Sequence, residues 1–99
     1  MNTVDWLSRL IAFDTTSRHS NLQLIDCVDE YLRGLGLQPW RAWNADQSKA
    51  NLFVTLPAHD GSIAGGTVLS GHTDVVLVDG QQWMSHPFQA DIRDGKLYG

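Results

Sequence analysis

Two amphipathic helix patterns stand at the front of this chain, and after residue 36 it offers only strand-length runs. That order limits the fold. A purely parallel sheet needs helical crossovers covering both faces, and two helices are too few for that. The expectation is an α/β chain with its helices packed on one face of a mixed sheet. The first helix is predicted over residues 3–13, where Val4, Leu7, Leu10 and Ile11 recur at three- to four-residue spacing. Thr3 is placed to cap it, and Asp5 suits its electropositive first turn. The polar run Asp14-Thr15-Thr16-Ser17 ends it, because short polar side chains bond nearby backbone groups. The second helix is expected to open at Ser20, which has capping-box spacing to Gln23. Leu24, Ile25, Val28, Tyr31, Leu32 and Leu35 form its apolar stripe. Asp26, Asp29, Glu30 and Arg33 fall largely on the other face, and Gly34 or Gly36 terminates it.

The remaining elements are short. Leu37–Trp43 reads as a strand that Pro39 confines to an edge or a bulge. Ala45–Ala50 is a polar connection, Leu52–Leu56 a strand stopped by Pro57, and His59–Gly66 a loop. Thr67-Val68-Leu69 is expected as an apolar strand leading into Ser70-Gly71-His72. Phe88–Tyr98 has the pattern of a hairpin turning at Asp94-Gly95. At 99 residues the chain can hold one modest core, burying about 60–65% of the surface its unfolded form exposes.

Charge and cysteine usage exclude several classes. Lys and Arg number 7 against 11 Asp and Glu, a formal net charge of −4, which argues against a nucleic-acid binder working through a basic surface. The single Cys27 precludes an internal disulfide framework and is read as a small packing residue. There is no secretory leader pattern at the N-terminus, and no apolar run is long enough to span a membrane. The expected setting is the cytoplasm, with neither membrane nor nucleic acid as partner.

The chemistry concentrates in Ser70-Gly71-His72-Thr73-Asp74. Here a strand ending in glycine presents an imidazole and a carboxylate two residues apart, on one side of an extended backbone. Ligands of α/β sheets gather beyond the carboxyl ends of strands. A metal-bound histidine commonly gives its other ring N–H to a carboxylate, which fixes its tautomer. His72 as ligand and Asp74 as its partner meet that requirement. On spacing alone, His-x-Asp also arises by chance, and zinc needs three or four ligands. His19 and His59 read as solvated loop residues, and nothing in the spacing demands His86. No Ser/His/Asp order or nucleophile elbow is present. Trp40 and Trp43 read as sheet packing, and Trp83 as a pin for its loop.

Taken together, Leu69-Ser70-Gly71-His72-Thr73-Asp74-Val75-Val76, Val78-Asp79-Gly80-Gln81, Trp83, Pro87-Phe88 and Asp94-Gly95-Lys96-Leu97-Tyr98-Gly99 resemble the zinc metallopeptidase family of aminoacylases, carboxypeptidases and deacylases. Leu10-Ile11-Ala12-Phe13-Asp14-Thr15-Thr16-Ser17-Arg18, Ser20-Asn21-Leu22, Asn51-Leu52-Phe53 and Gly65-Gly66 extend the likeness along nearly the whole chain. The resemblance implies a zinc-dependent exopeptidase-like α/β/α sandwich holding two zinc ions, with cobalt as a substitute. It implies His72 as the first metal ligand and Asp74 as the catalytic acid that orients it. It further implies metal-dependent hydrolysis of a small N-acyl amino acid by a homodimer, with a glutamate as general base.

The departures from the family pattern shape the remaining expectations. The family continues past the hairpin into Gly-x-x-Asp-Met-Lys, whose aspartate bridges both metals, and then to the paired glutamates and a dimerisation domain. None of these stands in residues 1–99, and the sole glutamate, Glu30, lies on the polar face of the second helix. Residues 1–99 are therefore read as the N-terminal part of the metal-binding catalytic domain, expected to be inactive alone and to leave apolar surface and a sheet edge uncovered. Leu77 replaces a proline common in relatives, and His86 an acid that often precedes Pro-Phe.

Overall fold

A computed structural model describes residues 1–99, which form two units: residues 1–19 with 74–99, and residues 20–73. The α/β composition expected from sequence is present: helices α1 (Thr3–Ile11) and α2 (Leu22–Gly34), and strands β1 (Trp40–Trp43), β2 (Ala50–Phe53), β3 (Asp91–Arg93) and β4 (Lys96–Tyr98). The strands pair as two antiparallel ladders, β1 with β2 and β3 with β4. The expected mixed sheet is thus replaced by two hairpins, and the parallel component is a single bridge between Thr16 and Val75. No helix is long and apolar enough to cross a membrane.

In the unit of residues 20–73, α2 packs on β2. Its core is small: Leu24, Ile25 and Ala50. The helix begins later than Ser20, and the Ser20–Gln23 capping box gives way to other bonds. Ser20 Oγ accepts from the Leu22 N–H at 3.1 Å. Asn21, at the N-cap, spends its amide on Ala50 instead: Nδ2 donates to the Ala50 carbonyl (2.8 Å) and Oδ1 accepts from the Ala50 N–H (3.1 Å). The other end follows the glycine reading. Gly36 takes φ +81, its N–H donates to the Arg33 carbonyl (2.9 Å), and the Leu37 N–H reaches the Leu32 carbonyl (3.1 Å). This is the Schellman closure that a left-handed residue permits.

Asp29 overturns its expected place on the polar face. It is buried, and its carboxylate meets two guanidinium groups. Arg33 Nε donates to Oδ1 at 2.6 Å, and Arg41 Nε donates to Oδ2 at 2.9 Å. Arg41 also reaches Asp26 at 2.8 Å. Position 29 lies one helical turn from Ile25, so it falls on the stripe side whenever a cation there can offset its desolvation.

Strand β1 is shorter than predicted. Pro39, which lacks an N–H, precedes it, and the ladder runs from Trp40↔Phe53 to Trp43↔Ala50. The polar connection is the turn of this hairpin. Asp46 accepts from the Ser48 N–H (3.1 Å) and hydroxyl (2.6 Å), and Gln47 adopts φ +59. Trp40 and Trp43 are more exposed than sheet packing predicts. Trp40 meets Phe53 edge to face at 6.5 Å, while Arg41 lies over the Trp43 ring at 5.5 Å. The predicted Thr67–Leu69 strand is absent, and Leu69 is 93% exposed. A strand is stabilised by its ladder, and this run has no pairing partner.

In the other unit, α1 is capped one residue earlier than expected. Asn2 Oδ1 accepts from the Asp5 N–H (2.9 Å), and Asp5 Oδ2 accepts from the Asn2 N–H (3.1 Å), a reciprocal capping box. The helix stops at Ile11, short of residue 13. The hairpin turn at Asp94-Gly95 is as read, with φ +51 and +73. Those are the left-handed values a two-residue type I′ turn requires. Gly99, following β4, lies so close to α1 that a Cβ there would come within 2.6 Å of Ile11.

Burial pushes the Asp29 carboxyl up, but the bonds from Arg41 and Arg33 outweigh it and hold the group below its ordinary 3.8. A carboxyl whose pKa is lowered on folding stabilises the folded state above the ordinary value and loses that contribution as pH falls through the folded-state pKa. Asp29→Ala is expected to cost about 2 kcal/mol at pH 7, since it strands two arginines. The penalty should shrink on acidification below pH 3.8. Urea titrations at both pH values check this, and an unchanged midpoint at pH 7 would discount the interaction.

Candidate functional site

Asp74 is held by the segment that follows α1. The carboxylate of Asp14 accepts from the Thr16 N–H (3.1 Å) and from the Thr16 hydroxyl (2.6 Å), turning the chain as it leaves the helix. Thr15 and Thr16 are buried, at 5% and 2% exposure. The Val75 N–H donates to the Thr15 carbonyl (3.1 Å), and the Ser17 N–H to the Val75 carbonyl (3.2 Å). Ser17 Oγ then donates to Asp74 Oδ2 at 2.8 Å. One residue further, Arg18 lies 3.1 Å from Asp79. The run Asp14–Arg18 is therefore the frame against which Asp74 and the residues after it are fixed. The Thr16 hydroxyl and amide, helped by His19 and Arg18, hold the Asp14 carboxyl below the ordinary carboxylate value.

His72 lies in the other unit, exposed, on irregular backbone after the unpaired 67–69 run. No three His, Cys, Asp or Glu side chains stand together as a metal-binding group. The donor set suits zinc or cobalt in kind, an imidazole with a carboxylate two residues on. One imidazole and one carboxylate are fewer than the three or four ligands a zinc site needs. The chain alone does not complete a metal centre.

Most of the other singled-out residues have structural partners. His19 Nε2 lies 3.7 Å from Asp14 Oδ2, and His59 is exposed. His86 Nδ1 accepts from the Phe88 N–H (3.1 Å) and lines an open groove of about 510 Å³ with Trp83, Ser85, Arg93 and Tyr98. The Trp83 indole N–H donates to the Val78 carbonyl (3.3 Å), so it does pin its loop, though against Val78 and not a sheet. Arg93 sits 4.1 Å from the Tyr98 ring centroid and 2.7 Å from Asp91. Cys27 is half-buried within α2.

Sequence reasoning missed Ser17. In sequence it belongs to a helix-ending turn and to the stretch that carries the family likeness, with no role of its own. Its contact with Asp74 spans 57 positions, which no local spacing announces. The signal that existed was chemical: a run of four short polar residues after a helix, in which two threonines become buried.

No family model and no solved structure matches this chain. Curated proteins that it resembles along most of its length include deacetylases. They include the acetylornithine deacetylases of Proteus mirabilis, 38% identical over 92 residues, and Erwinia tasmaniensis, 37% identical over 92 residues. Each of these matches covers 89% of this chain and 22% of the relative. The acetylornithine deacetylase of Pasteurella multocida is 35% identical over 99 residues, 93% of this chain and 25% of the relative. The chain thus spans about a quarter or less of the curated relatives it matches. The pattern fits the N-terminal portion of such a protein.

Asp14→Ala should release the frame: amide exchange at Thr16 and Val75 should quicken at neutral pH. For the unsubstituted chain, protection at both amides relative to their intrinsic exchange rate should fall as pH drops through the lowered pKa of Asp14, because the ionised carboxylate is the stronger acceptor. Unchanged protection at both amides in the variant would show that the bridge stands without Asp14.

Proposed function

We propose that residues 1–99 are the N-terminal part of the metal-binding catalytic domain of a deacylase that hydrolyses N-acetyl-L-ornithine to L-ornithine and acetate, a step of arginine biosynthesis. The observation that carries this reading is the likeness to acetylornithine deacetylases. The match to the Proteus mirabilis protein runs along 89% of the chain. In this reading His72 gives one ligand to a zinc or cobalt centre, and Asp74 orients and polarises that imidazole. A metal held there would supply polarisation of the amide carbonyl and a lowered pKa for bound water. The other ligands, the general base and the surfaces of a homodimer are supplied from outside residues 1–99. The same is proposed for the elements that complete an exopeptidase-like sandwich. A small N-acyl amino acid is the substrate, and the setting is the cytoplasm. The frame of Asp14–Arg18 supports the reading, since an orienting carboxylate must itself be held.

The test is release of ornithine from N-acetyl-L-ornithine, with N-succinyl-diaminopimelate as the competing substrate and zinc or cobalt added. It is run on residues 1–99 and on the product of the reading frame followed to its stop codon. The 99-residue chain should show no turnover above its His72→Ala control. The longer product should prefer acetylornithine, and Asp74→Ala should lower its activity about 10–100-fold. Activity indifferent to both His72→Ala and Asp74→Ala would sink the proposal, as would a stop codon directly after Gly99.

A further inference from the structure

We infer that Asp94-Gly95, the turn of the β3–β4 hairpin, is a modification site where the chain rearranges to isoaspartate through a cyclic imide, with water as the only co-reactant. Three Asp-Gly pairs occur in the chain, at residues 60–61, 79–80 and 94–95. In each, the glycine offers a backbone nitrogen unhindered by a side chain. At the turn, the Gly95 nitrogen attacks Asp94 Cγ. The carboxyl reacts in its protonated form, so its hydroxyl leaves as water together with the amide proton. A five-membered imide results. Water then adds to the main-chain carbonyl of Asp94, and the bond from that carbonyl to the Gly95 nitrogen breaks. The chain now passes through Cβ. One water leaves and one enters, so the mass is unchanged.

The structure separates the three pairs. Asp60 Oδ1 accepts from the Ser62 N–H at 2.9 Å, and the Ser62 N–H and hydroxyl hold this carboxyl below the ordinary value, away from the reactive acid. The Gly61 N–H is also engaged, donating to the Ala58 carbonyl at 2.8 Å. Asp79 turns both of its oxygens to Arg18, each 3.1 Å from Nη2, so the ion pair fixes where Cγ lies. Asp94 is exposed, and no hydrogen bond or ion pair engages its carboxylate. It sits at φ +51, a left-handed conformation that L side chains rarely adopt. Gly95 beside it has open space where a Cβ would stand. The ladder that holds the turn is only two strands of three residues, and a lone two-stranded hairpin is marginal in water. The turn is therefore free to open toward the geometry of attack. The product also escapes the left-handed constraint, because its main chain gains a methylene. That added carbon disrupts the two-residue turn, which sets the register Arg93↔Lys96 and the stacking of Arg93 on Tyr98.

The experiment incubates residues 1–99 in warm, mildly acidic water enriched in heavy oxygen, with and without urea, and maps isoaspartate and label by peptide mass spectrometry. In the folded chain Asp94 should accumulate isoaspartate several-fold faster than Asp60 or Asp79, with one heavy oxygen retained. In urea the three rates should draw together, because each aspartate precedes a glycine and the engaging contacts are gone. Arg18→Ala should raise the rate at Asp79 in the folded chain and leave Asp94 unchanged. Asp94→Glu should abolish the signal at position 94, since the longer side chain closes a six-membered ring slowly. Amide protection in β3 and β4 should be lost in the isoaspartate fraction and kept in α2. Isoaspartate that is absent, or that forms as fast at Asp60 or Asp79 in the folded chain, overturns the assignment. The same lead for Asp94 in urea as in buffer also overturns it, since sequence and not the fold would then select the site.

Discussion

The carboxylate of Asp29 leaves water only because two guanidinium groups meet it, and the arrangement of residues 20–73 depends on that meeting. Desolvating a carboxylate costs several kcal/mol, so an unpaired Asp29 would turn its face of α2 to solvent. Arg33, one turn along the same helix, and Arg41, on β1, remove that penalty. The apolar core beside them is only Leu24, Ile25 and Ala50. So small a core gives little directional preference of its own. The direction comes from polar contacts at two points along α2: Asn21 holds Ala50 near the start of the helix, and Asp29 holds Arg41 further on. They lie eight residues apart, about 12 Å along the axis. Two such ties fix both the rotation of the helix and its position against the hairpin.

That arrangement was only partly legible in the sequence. The stripe Leu24-Ile25-Val28 and the glycine after it located α2 and its end, because periodicity and left-handed backbone are local properties. The hairpin at Asp94-Gly95 was readable for the same reason, since its two turn residues carry the required φ values between them. Asp29 departs from expectation because hydropathy assigns a carboxylate outward. Its partner Arg41 stands twelve positions away across a turn, and nothing in the helix alone predicts it. Asn21 does not stand out as the N-cap, because the residue before it has the better capping-box spacing. The structure instead uses the Asn21 side chain as a short stretch of strand edge, pairing both backbone groups of Ala50. The 67–69 run fails as a strand for a related reason. Composition can favour extended backbone, but a ladder needs a second strand.

The candidate site divides along the same line. His72 and Asp74 were found from an apolar run, a glycine and a two-residue spacing, all local features. What holds Asp74 was not found, because it arrives from the far end of its unit's sequence. There the dependence runs in order. The Asp14 carboxylate bends the chain by binding both polar groups of Thr16. The bent segment presents Thr15 and Ser17 to the two backbone groups of Val75. That pairing puts the Ser17 hydroxyl within reach of Asp74. Each step uses a short polar side chain or the backbone itself, and none needs a large apolar core. A chain with little buried surface can therefore still fix one carboxylate, because directional bonds in series do locally what packing does in larger cores.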